Sequence, residues 1–206
     1  MDGLVAQRER LSPQGGSGIL LTRKEQSDNG EYVMRSIVIG YGSKLRGDDA
    51  LGPHIVENLH DTVGMESMDV HIISLPQLDL SLAPRISESD MVIFVDARED
   101  GGEVPVEIQQ IEPLTGPVLF SHTSHAMGVP LLLQIARDWY GAVPICYMVM
   151  PKGYDFTISE TLSEKAEIAA VQARNKILEI LQSQIPLSSP LSKGCSEPVA
   201  VTENRT

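Results

Sequence analysis

The stretch SIVIGYGSKLRGDDALGPHIVENL, residues 36–59, decides what fold this sequence predicts. It begins with a short run rich in β-branched residues that ends at Gly40, which is typical of a strand buried on both faces. Apolar residues then recur every four positions, at Leu51, Ile55 and Leu59. This spacing indicates a helix with one apolar face. Because proline is tolerated only in the first turn of a helix, Pro53 predicts that this helix begins close to Asp48 or Asp49.

Strand-like and helical patterns alternate along the rest of the chain. Further strands are predicted at 69–74, 91–97, 104–111 and 143–150, and further helices at 128–140 and from 161 onward. Segment 76–87 has a helical pattern that Pro84 is expected to cut or kink, and Pro105 favours an edge position for its strand. The alternation predicts an α/β fold: an open, mainly parallel twisted sheet with helices on both faces, in the three-layer arrangement of phosphorylase- and hydrolase-like proteins.

The last helix carries its own start signal. Thr161 and Glu164 have the spacing of a capping box, in which each side chain accepts a hydrogen bond from the other residue's backbone N–H. Apolar residues follow that are expected to face the core: Ile168, Val171, Ile177, Leu178 and Leu181.

Composition separates one folded domain from two polar ends. Residues 1–33 and 183–206 mix charges with Gly, Ser, Pro and Gln and show no sustained period, so we expect a disordered leader and a disordered tail. Residues 34–182 then form a single α/β domain. Met34 directly precedes the first predicted strand, and we expect it to be the true start of the protein.

Charge and cysteine usage narrow the function classes. The formal net charge is −12 and the isoelectric point near 4.8, which argues against nucleic-acid binding and against attachment to an anionic membrane. No apolar run approaches the length of a membrane span. Cys146 lies in an apolar run and is expected in the core, whereas Cys195 is expected to be a free thiol. A reducing, cytoplasmic location is the default for such a chain.

The glycine turn in 36–59 resembles a dinucleotide-binding loop only in part. Gly40 and Gly42 are present, but the third glycine of that motif is replaced by Leu45. Asp48 and Asp49 stand where the motif places a pyrophosphate, and two carboxylates there would repel it. We expect Asp48 to cap the following helix and Asp49 to face the crevice at the end of the strand.

Two further elements bring metal-binding side chains to the same crevice. Asp96 ends the strongest predicted strand, and His122 and His125 lie in the segment before the helix at 128–140. Because the carboxyl ends of parallel strands open onto one crevice, Asp49 and Asp96 are expected to lie close together. Two carboxylates with an imidazole suit Ni²⁺, Zn²⁺, Fe²⁺ or Co²⁺ better than Ca²⁺.

These residues resemble the hydrogenase maturation proteases, endopeptidases that trim the C-terminus of the large subunit of nickel–iron hydrogenases. The similarity covers about residues 35–182. It rests on four segments: IVIGYGSKLRGDDALGPHIVENL (37–59), PQLDLSLAPRISESDMVIFVDA (76–97), SHTSHAMGVPLLLQIA (121–136) and YMVMPKGYDFTISETLSEKAEIAAVQARNKILEIL (147–181). Ser43 replaces the asparagine usual in the family's glycine loop, and segment 151–159 departs from the family pattern.

The resemblance implies both a site and a reaction. The family's three nickel-contacting side chains fall on Asp49, Asp96 and His125, while His122 has no family role and is kept as a residue that supports a ligand or replaces one. The implied substrate is a nickel-loaded large-subunit precursor, which supplies the nickel itself and pairs transiently with a monomeric protease. Either the metal polarises the scissile carbonyl or a carboxylate activates water.

Three other hypotheses remain open at the level of sequence. The chain is either a protease for another precursor, a noncatalytic metal-sensing or scaffolding domain with the same ligands, or, least in keeping with Asp48 and Asp49, a dinucleotide enzyme. Cleavage of the nickel-loaded precursor, nickel binding without cleavage, and binding of a dinucleotide distinguish them.

Overall fold

The computed structural model describes residues 34–59, 68–99, 102–116 and 128–183. The strands are β1 (Ser36–Tyr41), β2 (Val70–Leu75), β3 (Met91–Val95), β4 (Val106–Gln110) and β5 (Ile145–Pro151). The α-helices are α1 (Leu51–Glu57), α2 (Ala83–Glu88), α3 (Val129–Tyr140) and α4 (Glu164–Ser183). Two short 3₁₀ helices, Gly47–Ala50 and Leu80–Leu82, lead directly into α1 and α2.

The strands form one sheet in the order β2-β1-β3-β5-β4. Pairing is parallel from β2 to β5, and β4 pairs antiparallel with β5 at the edge. Pro105 precedes β4, where its missing N–H disturbs no central ladder. The expected open, mainly parallel sheet and the edge position of β4 are therefore confirmed.

Each face of the sheet carries a separate hydrophobic core. Val38 and Ile93 pack with α1 and α4 on one face, and Ile39 and Phe94 pack with α2 and α3 on the other. Consecutive strand residues point to opposite faces, so a strand covered on both sides must be apolar throughout. This accounts for the unbroken apolar runs of β1 and β3. Cys146 is buried in the second core, as expected.

A pair of glycines lets α1 lie directly against the ends of the central strands. A Cβ at Gly52 would collide with the backbone oxygens of Tyr41 and Val95, and one at Gly40 would collide with the carbonyl of Gly52. Gly52 thus provides the close helix–strand contact that the dinucleotide motif obtains from its third glycine. The helical turn begins at Gly47, which confirms the start inferred from Pro53.

Two expectations about helices are wrong. Pro84 does not cut a helix; it lies in the first turn of α2, where its missing N–H has no intrahelical partner to lose. In α4 the residue preceding the helix is Ser163, whose Oγ accepts a hydrogen bond from the N–H of Ala166 at 3.3 Å. Thr161 instead exchanges hydrogen bonds with Ser159 and caps no helix.

The buried face of α4 also differs from the expected one. Ile168 and Val171 are exposed at 60% and 50%, while Ile177 and Leu181 are buried as expected. The rest of the buried face consists of alanines: Ala166, Ala169, Ala170 and Ala173. Small side chains allow α4 to approach α1 closely, which a prediction based on large apolar residues overlooks.

The expected disordered ends lie outside the described residues, except that Ser183 is the last residue of α4. Among the described helices, none has both the length and the apolar character needed to cross a membrane.

Candidate active site

The carboxyl ends of β1 and β3 form a switch point of the sheet, because the connecting helices on its two sides pack on opposite faces. α1, which follows β1, packs on one face, and α3, which precedes β5, packs on the other. In open α/β sheets the crevice at such a switch point is the usual ligand site. Asp49 lies in the turn after β1, and Asp96 is the residue immediately after β3.

Asp49 and Asp96 lie after neighbouring strands, near enough for their charges to interact. The negative charge of Asp49 acts on the carboxyl group of Asp96 and contributes to its raised pKa. Both side chains are half-buried, so water screens their repulsion less than it would at an open surface. A cation between them would relieve that repulsion.

The glycine loop orients Asp49. Its Oδ2 accepts a hydrogen bond from the backbone N–H of Ser43 at 2.9 Å. The chain can turn back this tightly because Gly42 has a φ of 140°, and a Cβ there would collide with the carbonyl of Asp49. The Ser43 contact uses the backbone, so the change from asparagine to serine does not affect it.

Asp96 has the most perturbed carboxyl group near the crevice. Burial raises its pKa to about 6 and the charge of Asp49 adds to the rise, while the nearby Tyr41 hydroxyl and Ala97 N–H favour the carboxylate and act in the opposite direction. A carboxyl group with a pKa near 6 exchanges protons readily at neutral pH, which is the property that a general acid or base needs.

Tyr41 is a site residue that the sequence did not indicate. It is the last residue of β1, and it lies close enough to Asp96 for the charge of that carboxylate to act on its hydroxyl. Burial and the charge of Asp96 raise the pKa of Tyr41, so the hydroxyl keeps its proton. The sequence feature that could have pointed to Tyr41 is its position directly after Gly40, at the end of the strand that neighbours the one ending at Asp96.

Asp48 does not cap its own helix, contrary to expectation. Its side chain is fully buried, and its carboxylate accepts hydrogen bonds from the N–H groups of Tyr154, Asp155 and Ser163 at 2.7–2.8 Å and from the Ser163 hydroxyl at 2.8 Å. Burial alone would raise the pKa of Asp48, but these donors outweigh it and hold the pKa below its usual value. Asp48 therefore joins the glycine loop to the segment that precedes α4.

Backbone hydrogen bonds reinforce this junction. The N–H of Gly47 donates to the carbonyl of Ser159 at 2.9 Å, and the N–H of Ser159 donates to the carbonyl of Leu45 at 3.2 Å. Two apolar side chains at the junction face water, with Leu45 exposed at 60% and Ile158 at 94%. Residues 151–159 thus form a wall beside the glycine loop.

His122 and His125 lie outside the described residues, so their place in the site stays a prediction. Gly128 immediately precedes α3, and α3 leads into β5, which is parallel to β1 and β3. Within the described ranges, no group of three His, Cys, Asp or Glu side chains is arranged to hold a metal ion, and Asp49 with Asp96 supplies two carboxylates.

Two surface pockets lie away from the carboxylate pair. One of about 240 Å³ between α1 and α4 includes His54 and Arg174, and one of about 310 Å³ at the opposite edge of the sheet includes Arg35 and Arg85. Neither pocket is lined by Asp49 or Asp96. The switch point remains the better candidate, because it combines perturbed carboxylates with the position where this class of sheet binds ligands.

One curated relative and several solved structures resemble this chain. No family model matches the chain. A relative in Methanocaldococcus jannaschii, whose name provisionally assigns it as a hydrogenase maturation protease, is 22% identical over 156 residues, which is 71% of this chain and 88% of that protein.

Solved structures share the fold. The nickel–iron hydrogenase maturation protease HycI of Thermococcus kodakarensis superposes with a TM-score of 0.55 at 25% identity, covering 72% of this chain and 93% of that one. The hydrogenase-maturating endopeptidase HybD of Escherichia coli gives a TM-score of 0.58 at 22% identity, with 73% and 93% covered. The resemblance and the fold class inferred from sequence are confirmed.

Proposed function

We propose that this chain is an endopeptidase that removes the C-terminal extension of a nickel-loaded large-subunit precursor of a nickel–iron hydrogenase. The observation that carries the proposal is the convergence of Asp49 and Asp96 at the switch point of a sheet. The same fold occurs in proteins named as hydrogenase maturation endopeptidases. Peptidase activity is the common function in the names of these relatives.

The proposed site uses Asp49, Asp96 and His125. Carboxylate oxygens from the two aspartates and the imidazole of His125 grip the nickel ion that the precursor brings. The two described ligands fit such an ion, because intermediate divalent cations accept carboxylate oxygen. Nickel is thus part of the substrate, and the protease binds and cleaves only a precursor that already contains it.

In the proposed chemistry the substrate supplies the nickel ion and the enzyme supplies the group that transfers the proton. Gripping the substrate's nickel brings the scissile bond close to Asp96. A carboxylate oxygen of the pair that nickel leaves free takes a proton from the attacking water and returns it to the leaving amine. This would place the enzyme among the aspartic-type endopeptidases while making cleavage depend on nickel. We further propose that it acts in the cytoplasm as a monomer that pairs transiently with the precursor.

The test is cleavage of the unprocessed precursor with and without nickel. Wild type is compared with Asp49→Ala, Asp96→Ala and His125→Ala. Glu179→Gln serves as a control, because Glu179 pairs with Lys176 on the exposed side of α4. We expect nickel-dependent loss of the C-terminal peptide, reduced at least about 100-fold by each of the three site changes and unaffected by the control.

Other outcomes point to other functions. A wild-type chain that captures the nickel-loaded precursor without cutting it would be a noncatalytic metal-sensing or scaffolding domain. Cleavage of a different nickel-loaded precursor in place of this one would identify a related protease. Normal cleavage by all three site variants would leave the fold in place and exclude the proposed site.

A further inference from the structure

We propose that Leu45 and Ile158 form a docking surface for the precursor, and that the segment seated on it carries an apolar side chain next to a lysine or arginine. The inference rests on the proposed function and deepens it, because it names the surface beside the crevice that recognises the precursor as a protein. We call Leu45 and Ile158 the apolar pair.

Backbone pairing places the two side chains of the apolar pair next to each other. Arg46 and Ser159 form a parallel β-bridge. Its hydrogen bonds run from the N–H of Ser159 to the carbonyl of Leu45 at 3.2 Å and from the N–H of Gly47 to the carbonyl of Ser159 at 2.9 Å. Leu45 and Ile158 lie one residue before this bridge in the same register. Because side chains alternate between the two sides of paired strands, residues at one level point to the same side.

The fold makes no use of the apolar pair. Leu45 is exposed at 60% and Ile158 at 94%, which makes Ile158 the most exposed large apolar side chain among the described residues. Neither side chain belongs to the two cores that hold the described part of the chain together. Large apolar side chains that are grouped on a surface often mark a site of protein contact.

The contacts around Asp48 hold this surface in place beside the crevice. Four hydrogen bonds join the Asp48 carboxylate to the segment before α4. Gly47, with a φ of 53°, lies so close to that segment that a Cβ would collide with the carbonyl of Asp155. A surface that is already ordered loses little conformational entropy when a partner binds. Asp49 follows in the same loop, so a segment on the apolar pair lies beside the proposed nickel ligands.

A pocket next to the apolar pair indicates the charge of the partner segment. It has a volume of about 290 Å³, and Lys44 and Glu160 in its lining are close in sequence to the apolar pair. Its charged lining consists of Glu57, Glu160 and Glu167 against Lys44, with His54 as a further titratable group. Lys44 pairs with Glu57 at 2.7 Å, so the remaining negative charge comes from Glu160 and Glu167. A lysine or arginine of the partner complements that charge.

Serine substitutions test the apolar pair without opening a cavity, because both side chains are largely in water. Burying one leucine or isoleucine against a partner is worth enough to change affinity about 10-fold. Trp139→Ser is the matched control, since Trp139 is exposed at 58%. From Trp139 the chain leads into the start of β5, which pairs with the start of β3, at the opposite end of that strand from Asp96.

The experiment measures kcat and KM for cleavage of the nickel-loaded precursor by the full chain. We expect Leu45→Ser and Ile158→Ser each to raise KM about 10-fold while kcat changes less than about 2-fold. Trp139→Ser should leave both parameters unchanged. Glu160→Gln should raise KM about 3-fold at low salt and have little effect at about 0.5 M salt, where charges are screened. Glu179→Gln is the control for the loss of one exposed carboxylate on α4.

Four results would overturn the inference. The first three are a KM within about 2-fold of wild type for either serine variant of the apolar pair, a fall in kcat alone, and an equal rise in KM for Trp139→Ser. The fourth, an unchanged KM for Glu160→Gln at low salt, would reject the basic side chain of the partner segment.

A binding measurement separates this inference from the proposed function. The full chain in an Asp96→Asn background is bound to immobilised nickel-loaded precursor, with and without the serine changes of the apolar pair. Binding that these changes weaken, without cleavage by wild type, counts against the proposed function and retains the docking surface. Cleavage by wild type, with binding that these changes leave intact, rejects the docking surface alone. Absence of both binding and cleavage rejects both proposals.

Discussion

Asp48 and Asp49 are neighbours in the chain, yet their carboxylates point into different surroundings. Asp48 is buried and receives four hydrogen bonds from the segment before α4, whereas Asp49 is half-buried and receives one from its own loop. A carboxylate whose acceptor positions are all occupied is a structural group. One that keeps free lone pairs at a ligand crevice is a candidate ligand. Consecutive residues differ in this way because the 3₁₀ turn directs successive side chains apart.

Replacing Asp48 should mainly lower the stability of the fold, with little direct effect on the proposed reaction. Asp48→Asn puts an NH₂ group where the carboxylate met N–H donors, so at least one buried donor loses its partner. We expect the free energy of unfolding to fall by at least about 3 kcal/mol at pH 7. Urea unfolding followed by circular dichroism measures it. Asp155→Asn is the control at an exposed carboxylate of the same loop, and a similar loss there would contradict the special role of Asp48.

The same carboxylate predicts a sensitivity to acid. The folded-state pKa of Asp48 is lowered, so its ionised form stabilises the fold above the unfolded-state pKa, and this contribution is lost as pH falls through the folded-state value. Wild type should therefore lose stability below about pH 4 more steeply than Asp48→Asn. Unfolding curves between pH 2.5 and 6 test this, and parallel curves for the two proteins would exclude it.

The raised pKa of Asp96 predicts a change of stability with pH of the opposite sign. Its pKa is raised to about 6, so the folded state binds its proton more tightly than the unfolded state, and the protein loses stability as pH rises from about 4 to 6. Asp96→Asn removes this cost while keeping the size of the side chain. Without metal, the variant should be about 2–3 kcal/mol more stable than wild type at pH 7.5 and less than about 1 kcal/mol more stable at pH 4. Thermal and urea unfolding in EDTA measure the difference, and a gain that does not depend on pH would argue against the raised pKa.

At the scale of elements, the close approach of a helix to its neighbours depends on small or missing side chains more than on large ones. α1 touches the ends of β1 and β3 through Gly52, and α4 approaches through a row of alanines. The Gly52 contact brings α1 to the strand ends at the crevice. Patterns of large apolar residues locate helices well. They do not show where a helix must approach its neighbour so closely that no large side chain fits between the two.

Gly52→Ala tests the contact between α1 and the sheet. The added methyl would collide with the carbonyl oxygens of Tyr41 and Val95, which cannot move without disturbing both strand ends. We expect a loss of about 2–3 kcal/mol in the free energy of unfolding. Gly128→Ala is the matched control, because its Cβ would meet only Pro130 at an ordinary 3.6 Å. Equal stability of the two variants in urea would refute the tight contact.

At the scale of the whole molecule, the described core spans the chain from β1 to the end of α4. Ile177 and Leu181, near the end of α4, are buried against α1 and the central strands. The folding unit should therefore need all of α4. Asp49 and Asp96 also depend on this scale, because they are far apart in sequence and meet only when β1 and β3 pair.

Truncation tests where the folding unit ends. A chain of residues 34–183 should unfold in urea at a free energy within about 1 kcal/mol of the full chain. A chain of residues 34–176 loses both Ile177 and Leu181 and should be destabilised by more than about 4 kcal/mol. Equal stability of the two truncated chains would show that the end of α4 contributes nothing to the core.

The amino-acid sequence is sufficient to predict the fold class, the strands of the sheet and the position of Asp49 and Asp96 at the strand ends, while the role of these two residues as ligands stays a prediction. Periodicity, β-branched runs and strand-terminal aspartates are local signals, and parallel strands carry their ends to one edge. Three features become visible once the chain is folded: Asp48 holds a loop, Ser163 precedes α4, and Tyr41 lies near Asp96. Each of those contacts joins residues distant in sequence, or depends on which face a side chain takes, so no local pattern encodes it. The physical reason is that hydrogen bonds and packing depend on positions in space, which the sheet order sets only after the chain has folded.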